Sequence, residues 1–453
     1  MAVHKLPRRS VLLGMAGAAA ALGTAAVAGC GSTISTSGPK SSGLNAGAAL
    51  AGSADAGVLN VWGGVPAANG PQKLLDEFQA KYPKIKVSYT QFVNDPNGNV
   101  KLDTALQGGA KIDVLFTYSF DLMAQRAKSG QLLDLTDTVK ADSSLTKLSR
   151  PSYTPVYDGR IYSLPTVAEI NFVVLNKKIV QAAGLTIPDK WTTSEFRTFA
   201  QKLSKNGVYG SFNYPPVAIP TLGPDARYNA DGTKANFTHP AWRKEVELGY
   251  AMAKEKSIFP MDQIISQQLS AYSQNAFLSG KAALWITAPF SLRFVNDVTN
   301  YPHDFVTTFA PLPTPDGVSD PYNTGLYGNL ISIAKSSEYS AAAWTFVKYW
   351  LTDGAKALYV AGKVPALQTD SDDAVASALL GSNAAKLYDV DAFKKVAFDK
   401  TVKYGVPTKF KGAAEMSNAM TQQTQQLLLG QITPDQWVTN MQSQGDAAIA
   451  KDA

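Results

Sequence analysis

The residue types that most often carry out enzymatic or metal chemistry are scarce in this chain. It has three histidines, His4, His239 and His303, and a single cysteine, Cys30. No two histidines have the short spacing of metal ligands on one element, and no further cysteine is available. Neither the phosphate-binding pattern G-x-x-x-x-G-K-[ST] nor the nucleophile pattern G-x-S-x-G occurs. We therefore expect no metal, no cofactor and no Ser-His-Asp set, which favours a binding protein over an enzyme.

Pairs of carboxylates stay open as an alternative, because their separation for glycoside hydrolysis is spatial and is not visible in a sequence. One alternative function is therefore a surface glycan-degrading enzyme. The other is an adhesin lipoprotein without a small-molecule cleft. Release of reducing sugars from glycans would identify the first, and a lack of any sugar-induced closure would identify the second.

The stretch Phe277–Arg293 contains residues suited to binding a small molecule. Its pattern predicts a helix end, a strand at Ala282–Ile286, a turn at Thr287-Ala288-Pro289 and then the aromatic residue Phe290. A small-residue turn after a strand lets a ligand approach the backbone closely. Trp285, inside the strand, also fits a core position, because aromatic residues in strands mostly pack inward. We interpret the turn as one wall of a cleft.

The first 29 residues have the pattern of an export signal. The twin arginines Arg8-Arg9 run into the apolar segment Val11–Ala28. Val27-Ala28-Gly29-Cys30 resembles the lipobox of bacterial lipoproteins, in which the cysteine is acylated and becomes the new N-terminus. We therefore predict export and attachment of Cys30, through acyl chains such as palmitate, to the outer face of the cytoplasmic membrane. A plain transmembrane anchor is the alternative, although the segment is short for a span.

Composition separates a tether from a globular part. Residues 30–57 are mainly Gly, Ser, Ala and Thr, and such a segment behaves as a flexible tether with a reach on the order of 30 Å. The chain as a whole is 45% hydrophobic and 17% charged, which suits a globular protein with sizeable cores. The formal net charge is +6, but three of the positive charges lie in the signal. Without a Lys/Arg-rich run, we expect no nucleic-acid partner.

The globular part begins with alternating strand and helix patterns. Val58–Trp62, Ile85–Tyr89 and Ile112–Phe116 predict strands, with a helix pattern between each pair. This alternation implies a parallel sheet with right-handed crossovers, in which ligands sit beyond the carboxyl ends of the strands. Two such ends are Trp62-Gly63-Gly64 and Thr117-Tyr118-Ser119.

Later segments continue the α/β pattern. Capping boxes at Thr192–Glu195 and Thr433–Gln436 predict helix starts. Phe305–Phe309 and Leu330–Ala334 predict further strands, and Tyr322–Gly328 predicts a glycine- and tyrosine-rich loop.

The order of these segments resembles the extracellular solute-binding proteins of bacterial ABC importers, in the carbohydrate-binding group that includes maltose-binding protein. The resemblance covers the chain from Val58 to the C-terminus. Its landmarks, in order, are WGG, KYPKIKV, IDVLF, DGRIYSLP, FLSGKAALWITAP, YNTGLYGNLISIAKSS, AAAWTFVKYWLTD and KVPA. Their order and spacing make the resemblance specific, although no single landmark does so.

The resemblance implies an α/β, two-lobed periplasmic-binding-protein fold with a hinged interlobe cleft. The implied boundaries are residues 1–29 for the signal peptide, 30–57 for the tether, 58–168 plus 329–363 for lobe 1, and 169–328 plus 364–453 for lobe 2. The chain would cross between the lobes near Thr166–Asn171, Tyr322–Gly328 and Lys363–Pro365. The implied function is capture of a mono- or oligosaccharide by a monomer, without catalysis, and its delivery to the transmembrane subunits of an ABC permease.

The resemblance also implies where ligand binds. Glu169 falls where sugar-binding relatives place a cleft carboxylate, with a hinge ion pair as the alternative, and Phe290 falls where some place a stacking tryptophan. Tyr118, Ser119 and Asp121 occupy a loop that contacts ligand in relatives. The complete set of predicted ligand-binding residues is Trp62, Asn69, Tyr118, Ser119, Asp121, Glu169, Asn171, Trp285, Phe290, Tyr322 and Tyr327.

These residue types suit a sugar. Aromatic faces can cover the C–H faces of a pyranose ring, while carboxylate and amide groups exchange hydrogen bonds with its hydroxyls. Pro66 and Ala67 stand where maltose-binding protein carries a charged pair. The resemblance therefore leaves the identity, linkage and length of the sugar open.

Overall fold

The computed structural model describes residues 50–452, and its strands form two sheets. The strands are β1 (Gly57–Gly63), β2 (Ile85–Gln91), β3 (Val114–Thr117), β4 (Leu164–Glu169), β5 (Phe172–Asn176), β6 (Tyr209–Ser211), β7 (Ala282–Thr287), β8 (Thr307–Pro311) and β9 (Leu326–Ile333). The first sheet has the order β2-β1-β3-β9-β4, and the second has the order β6-β7-β5-β8. The predicted signal peptide, Cys30 and most of the predicted tether lie outside the described residues.

The first sheet begins with the predicted parallel strands. β1 runs parallel to β2, from Gly57 opposite Ile85 to Gly63 opposite Gln91, and also parallel to β3. The sheet is mixed, because β9 pairs antiparallel with both β3 and β4. The last of these pairs places Leu326 opposite Glu169. The end of the predicted Tyr322–Gly328 loop is therefore strand.

Helices cover the sheets, and several of them begin at a residue whose side chain caps the helix. The helices are α1 (Pro71–Lys81), α2 (Pro96–Gln107), α3 (Phe120–Lys128), α4 (Thr136–Ala141), α5 (Lys177–Ala182), α6 (Thr193–Leu203), α7 (Ala218–Leu222), α8 (Pro240–Lys254), α9 (Met261–Ser266), α10 (Gln274–Leu278), α11 (Leu292–Asn296), α12 (Ser340–Leu351), α13 (Asp372–Leu380), α14 (Ala384–Leu387), α15 (Val390–Ala397), α16 (Ala413–Leu428) and α17 (Pro434–Lys451). Short 3₁₀ helices occur at Ser143–Leu145, Pro289–Ser291 and Asp353–Ala361. Both predicted capping boxes are present, at Thr192 before α6 and at Thr433 before α17.

The first sheet is packed on both faces. One face packs against α1 and α12, where the rings of Phe78 and Phe346 meet edge to face with centroids 5.0 Å apart. The other face packs against α3 through Leu115 and Met123. Apolar side chains spaced by one helical turn explain why α1 and α12 bury one side. This packing fixes the carboxyl ends of β1 and β3.

The second sheet is also covered on both faces, and a third core lies beside it. Phe172 and Phe309 pack on one face with α15, and Val173 and Leu284 pack on the other with α6. Helices α16 and α17 pack on α8 around a separate core that contains Trp242 and Trp437. The second sheet therefore carries an additional helical layer that ends near the first sheet.

The chain passes between the two sheets at segments that lie together. It leaves the first sheet between β4 and β5, and it returns between β8 and β9. After the 3₁₀ helix Asp353–Ala361 it leaves again, and there the Ala168 N–H donates to the Val364 carbonyl at 2.9 Å. Short segments beside one another are the arrangement that permits a hinge. The boundary residues assigned above to the two lobes stay a prediction.

None of the helices in residues 50–452 is both long enough and apolar enough to cross a membrane.

Candidate functional site

A cavity of about 660 Å³ lies between the end of β3 and the helices that pack beside the second sheet. The end of β3 and the start of α3 form one wall, together with residues of β9. The loop before α7, helix α8 and helix α16 form the opposite wall, and residues 322–325, between β8 and β9, close one end. Residues of the first sheet and residues of the loops and helices beside the second sheet therefore contribute to a single space of the size that binds small molecules.

Tyr118 and Ser119 form the wall at the end of β3. The Tyr118 hydroxyl accepts a hydrogen bond from the Gly64 N–H at 2.6 Å. Gly64 must lack a side chain here, because a Cβ would lie 2.9 Å from the tyrosine ring. Ser119 is the N-cap of α3 and accepts from the Leu122 N–H. Burial raises the pKa of Tyr118 to about 12, so its hydroxyl stays protonated near neutral pH.

An ion pair spans the cavity from α3 to the segment after α7. The two Arg227 nitrogens Nη1 and Nη2 donate to the two oxygens of Asp121 at 2.9 and 2.6 Å. The Arg227 and Asp121 side chains are 15% and 11% exposed, so water screens the pair little. Arg227 also donates to the Ala413 carbonyl at 3.3 Å. This bidentate pair links the two walls.

The opposite wall presents the carboxylate of Glu245 and the ring of Tyr214. On α8, Trp242, Glu245 and Gly249 share one face by their spacing. Gly249 admits the Tyr214 ring, which a Cβ at this position would meet at 2.8 Å. The Glu245 atom Oε2 accepts from the Val217 and Ala218 N–H groups, both at 2.7 Å. Burial raises the pKa of Glu245 above its usual value, and these two hydrogen bonds oppose the shift.

Helix α16 contributes a polar stripe to the same wall. Its cavity-lining residues are Ser417, Met420, Thr421, Thr424 and Gln425. Their spacing of three and four residues places them on one helical face. Hydroxyl and amide groups along this stripe offer hydrogen bonds to a ligand that carries many hydroxyls.

Four of the predicted ligand-binding residues line this cavity. They are Tyr118, Ser119, Asp121 and Tyr322. The Tyr322 ring lies 4.1 Å from the Nζ of Lys403, measured to the ring centroid. Asp121 faces the cavity while it is paired with Arg227. The structure thus brings these four together, and their contact with ligand stays a prediction.

Glu169 and Phe290 lie next to the cavity, near the crossings between the sheets. The Lys363 Nζ donates to Glu169 Oε1 at 3.0 Å, and both side chains are at most 13% exposed. The same Nζ lies 5.6 Å from the centroid of the Phe290 ring. This pair between Lys363 and Glu169 matches the hinge ion pair that the sequence analysis gives as the alternative role of Glu169. Neither residue is among those that line the cavity.

Trp285 packs in the core and does not line the cavity. It is 3% exposed, and its ring meets Phe290 edge to face with centroids 6.1 Å apart. The physical reason is that the residues of β7 pack into cores on both faces of the second sheet. Trp285 therefore lies at the core position that the sequence also allowed, and its contact with a ligand stays a prediction.

The other predicted residues make contacts outside the cavity. Asn171 donates from Nδ2 to the Thr324 hydroxyl at 2.9 Å, which ties two crossing segments together. Tyr327 packs between Tyr153 and Tyr404. Trp62 is partly buried against the core around Leu115 and Met123. Asn69 lies just before α1, and its backbone N–H donates to the Pro66 carbonyl at 2.9 Å.

Sequence reasoning missed Tyr214, Arg227, Glu245 and the stripe of α16. The loop that holds Tyr214 and Arg227 reads only as rich in Gly, Pro, Asn and Asp. Glu245 is one of several charged residues on an amphipathic helix, where the usual interpretation is a solvated face. The threonines and glutamines of α16 gave no distinct signal, because such residues are common on the exposed face of a helix.

Known proteins resemble this chain in sequence and in fold. The family model described as bacterial extracellular solute-binding protein matches residues 65–357. A mannitol-binding protein of Pseudomonas aeruginosa is 27% identical over 308 residues, which are 64% of this chain and 68% of that protein. A maltotriose-binding protein of Pyrococcus abyssi is 27% identical over 286 residues, which are 62% of this chain and 59% of that protein.

A solved structure shows the fold. An ABC substrate-binding protein from Listeria monocytogenes, in complex with cycloalternan, aligns with a TM-score of 0.72 at 19% identity. The alignment covers 87% of this chain and 100% of the Listeria chain. The α/β arrangement with two sheets is thus the two-lobed periplasmic-binding-protein fold, as predicted.

Proposed function

Because the chain belongs to the bacterial extracellular solute-binding proteins, we propose that it is the sugar-binding component of an ABC importer. The single observation that carries this proposal is the composition of the cavity wall. The rings of Tyr118, Tyr214 and Tyr322 lie beside hydroxyl, amide and carboxylate groups. Aromatic faces and convergent polar groups are what a pyranose ring requires of its site. The names of the mannitol- and maltotriose-binding relatives support the same class of ligand.

A cavity with walls from both sides of the crossing segments supports delivery to a permease. A ligand that contacts both walls binds the closed arrangement better than an open one, so it shifts the population toward closure. The neighbouring crossing segments supply the hinge. We propose that the closed, sugar-loaded protein is what the transmembrane subunits of the permease receive.

Sugars are expected to raise the melting temperature of the purified protein. The measurement is a thermal-shift screen against mono-, di- and oligosaccharides, with polyamines and glycerol phosphates as controls. A ligand present at 100 times its Kd should add about 2.7 kcal/mol to the free energy of unfolding. A response to the polyamines or glycerol phosphates alone would support an importer but would contradict a sugar as its ligand. No response to any compound would contradict the cavity as a binding site for these classes.

Membrane attachment through Cys30 is a second part of the proposal, and it rests on the twin-arginine and lipobox patterns. We expect the wild-type protein in the membrane fraction of expressing bacteria and Cys30→Ala in the soluble exported fraction. Mass spectrometry of the mature N-terminus should find acyl chains on Cys30. The matched control is Ser32→Ala, which changes a neighbouring residue and leaves the cysteine in place. Equal membrane retention of both variants would disprove the lipid anchor.

A further inference from the structure

The charges that line the cavity do not balance. Within the described residues the charged groups in the wall are Asp121, Arg227 and Glu245. Asp121 and Arg227 neutralise each other in the bidentate pair. Among residues 50–452, Glu245 has no ion-pair partner, so its ionised carboxylate gives the wall one uncompensated negative charge. A partly buried charge without a partner is costly unless something else solvates it.

The two oxygens of Glu245 have different surroundings. Oε2 is occupied by the Val217 and Ala218 N–H groups, which hold the carboxylate in one orientation. Oε1 has no hydrogen-bond partner in the part of the chain that the structure describes, and it is not among the buried atoms that lack one. Glu245 is partly exposed, and it lines the cavity. Its free oxygen is therefore open to the space that a ligand would occupy.

We propose that Glu245 determines the charge of the sugar that this cavity accepts: Oε1 accepts hydrogen bonds from a neutral or amine-bearing sugar, and the carboxylate excludes acidic sugars. This inference rests on the proposed sugar-binding function. A hydroxyl or ammonium group can donate to Oε1. This hydrogen bond replaces the one from water that Glu245 loses when the cleft closes. A ligand carboxylate at the same place has no proton to donate, and it is repelled by the like charge of Glu245. Acidic sugars should therefore bind more weakly than neutral sugars.

Position supports a selective role for this residue. The pair of backbone donors fixes Glu245 before any ligand arrives, so the carboxylate cannot rotate away from a wrong ligand. Tyr214, which packs on Gly249, adds a rigid ring beside it. The remaining polar groups of α16 are neutral hydroxyls and amides, which do not discriminate between acidic and neutral sugars.

The test compares matched sugars on Glu245→Gln and on wild type. The probes are glucose, galactose and mannose, together with their 2-amino and 6-carboxylate forms, and Kd is measured by calorimetry at low and high salt. Glutamine keeps an oxygen for the Val217 and Ala218 N–H groups and removes the charge. The control is Glu247→Gln on the same helix, where the carboxylate lies near Arg243 and is 52% exposed.

Wild type is expected to prefer the neutral or amino form over the acidic form by at least about tenfold. Glu245→Gln should lose most of this preference and Glu247→Gln should keep it. The difference should persist at high salt, because charges in direct contact are closer than the screening length. Neutral and acidic forms that bind wild type equally would overturn the charge selection while leaving the sugar-binding function intact. Failure of every probe, and of every oligosaccharide in the thermal-shift screen, to bind either protein would instead overturn the sugar-binding function, and this inference with it.

Discussion

Replacing Arg227 with methionine is expected to open the cleft of the ligand-free protein. The substitution removes both hydrogen bonds to Asp121 and the hydrogen bond to the Ala413 carbonyl. It leaves the Asp121 carboxylate, whose side chain is 11% exposed, without a partner. Breaking a buried ion pair by removing one member costs about 3–5 kcal/mol. Here the protein can avoid that cost by separating the walls, because Asp121 then regains water.

The expected shift is large. A loss of about 3 kcal/mol changes the ratio of closed to open molecules by on the order of 100-fold. Small-angle X-ray scattering should report a larger radius of gyration for Arg227→Met than for wild type, both without ligand. Arg243→Met is the matched control, because Arg243 is 43% exposed and pairs with Asp435 away from the cavity. If the two variants scatter alike, the ion pair does not hold the walls together.

Replacing Arg126 with methionine is expected to lower the free energy of unfolding by about 3–5 kcal/mol. Arg126 is 1% exposed and uses all three guanidinium nitrogens. It donates to Asp103 at 2.6 Å, to the Thr117 hydroxyl at 2.7 Å and to Asn99 at 3.1 Å. Methionine fills a similar volume but leaves these acceptors unpaired in the interior. Since Thr117 precedes Tyr118, the same substitution should loosen one wall of the cavity.

Urea unfolding followed by circular dichroism measures this effect as a lower midpoint. The control is Arg150→Met, because Arg150 is exposed and makes no side-chain hydrogen bond or ion pair within residues 50–452. We expect that control to change stability by less than about 0.5 kcal/mol. Equal midpoints for the two variants would mean that the buried guanidinium network contributes little to stability.

The elements of the fold were predictable where the signal is local. β1, β2 and α1 begin and end within a residue or two of their sequence patterns. The capping boxes at Thr192 and Thr433 placed the starts of α6 and α17 correctly. Hydrophobic periodicity, proline residues and cap residues act within one or two helical turns. They can therefore be recognised directly in the sequence. The start of β9 was less visible, because its first residues owe their strand conformation to pairing with β4.

The candidate site was predictable on the wall that follows β3 and at Tyr322. Tyr118, Ser119 and Asp121 come directly after a buried strand, where the sheet topology places ligand sites. Trp285 lies within a strand pattern and Phe290 follows it, but their segment packs into the core and against Lys363. The same kind of strand pattern therefore identified one group of residues that lines the cavity and another group that lies beside it. Burial of the inner strand β7, which the sequence does not encode locally, made the difference.

The sequence by itself determined the family resemblance, the α/β class and the positions of most strands and of several helices. These features depend on patterns that repeat within a few residues. Burial of the apolar side chains in these patterns stabilises the corresponding helices and strands. It also contains the export and lipobox patterns, which are read as short motifs.

Only the tertiary structure decided which charges meet. Asp121 and Arg227 are 106 residues apart in the chain, and their pairing leaves Glu245 as the one unpaired charge among the described residues of the cavity wall. Ionic and hydrogen-bonding partners are set by distances of about 3 Å across different elements. A sequence gives the residue types but not these distances. The charge that the cavity presents to a ligand is therefore a property of the packed lobes.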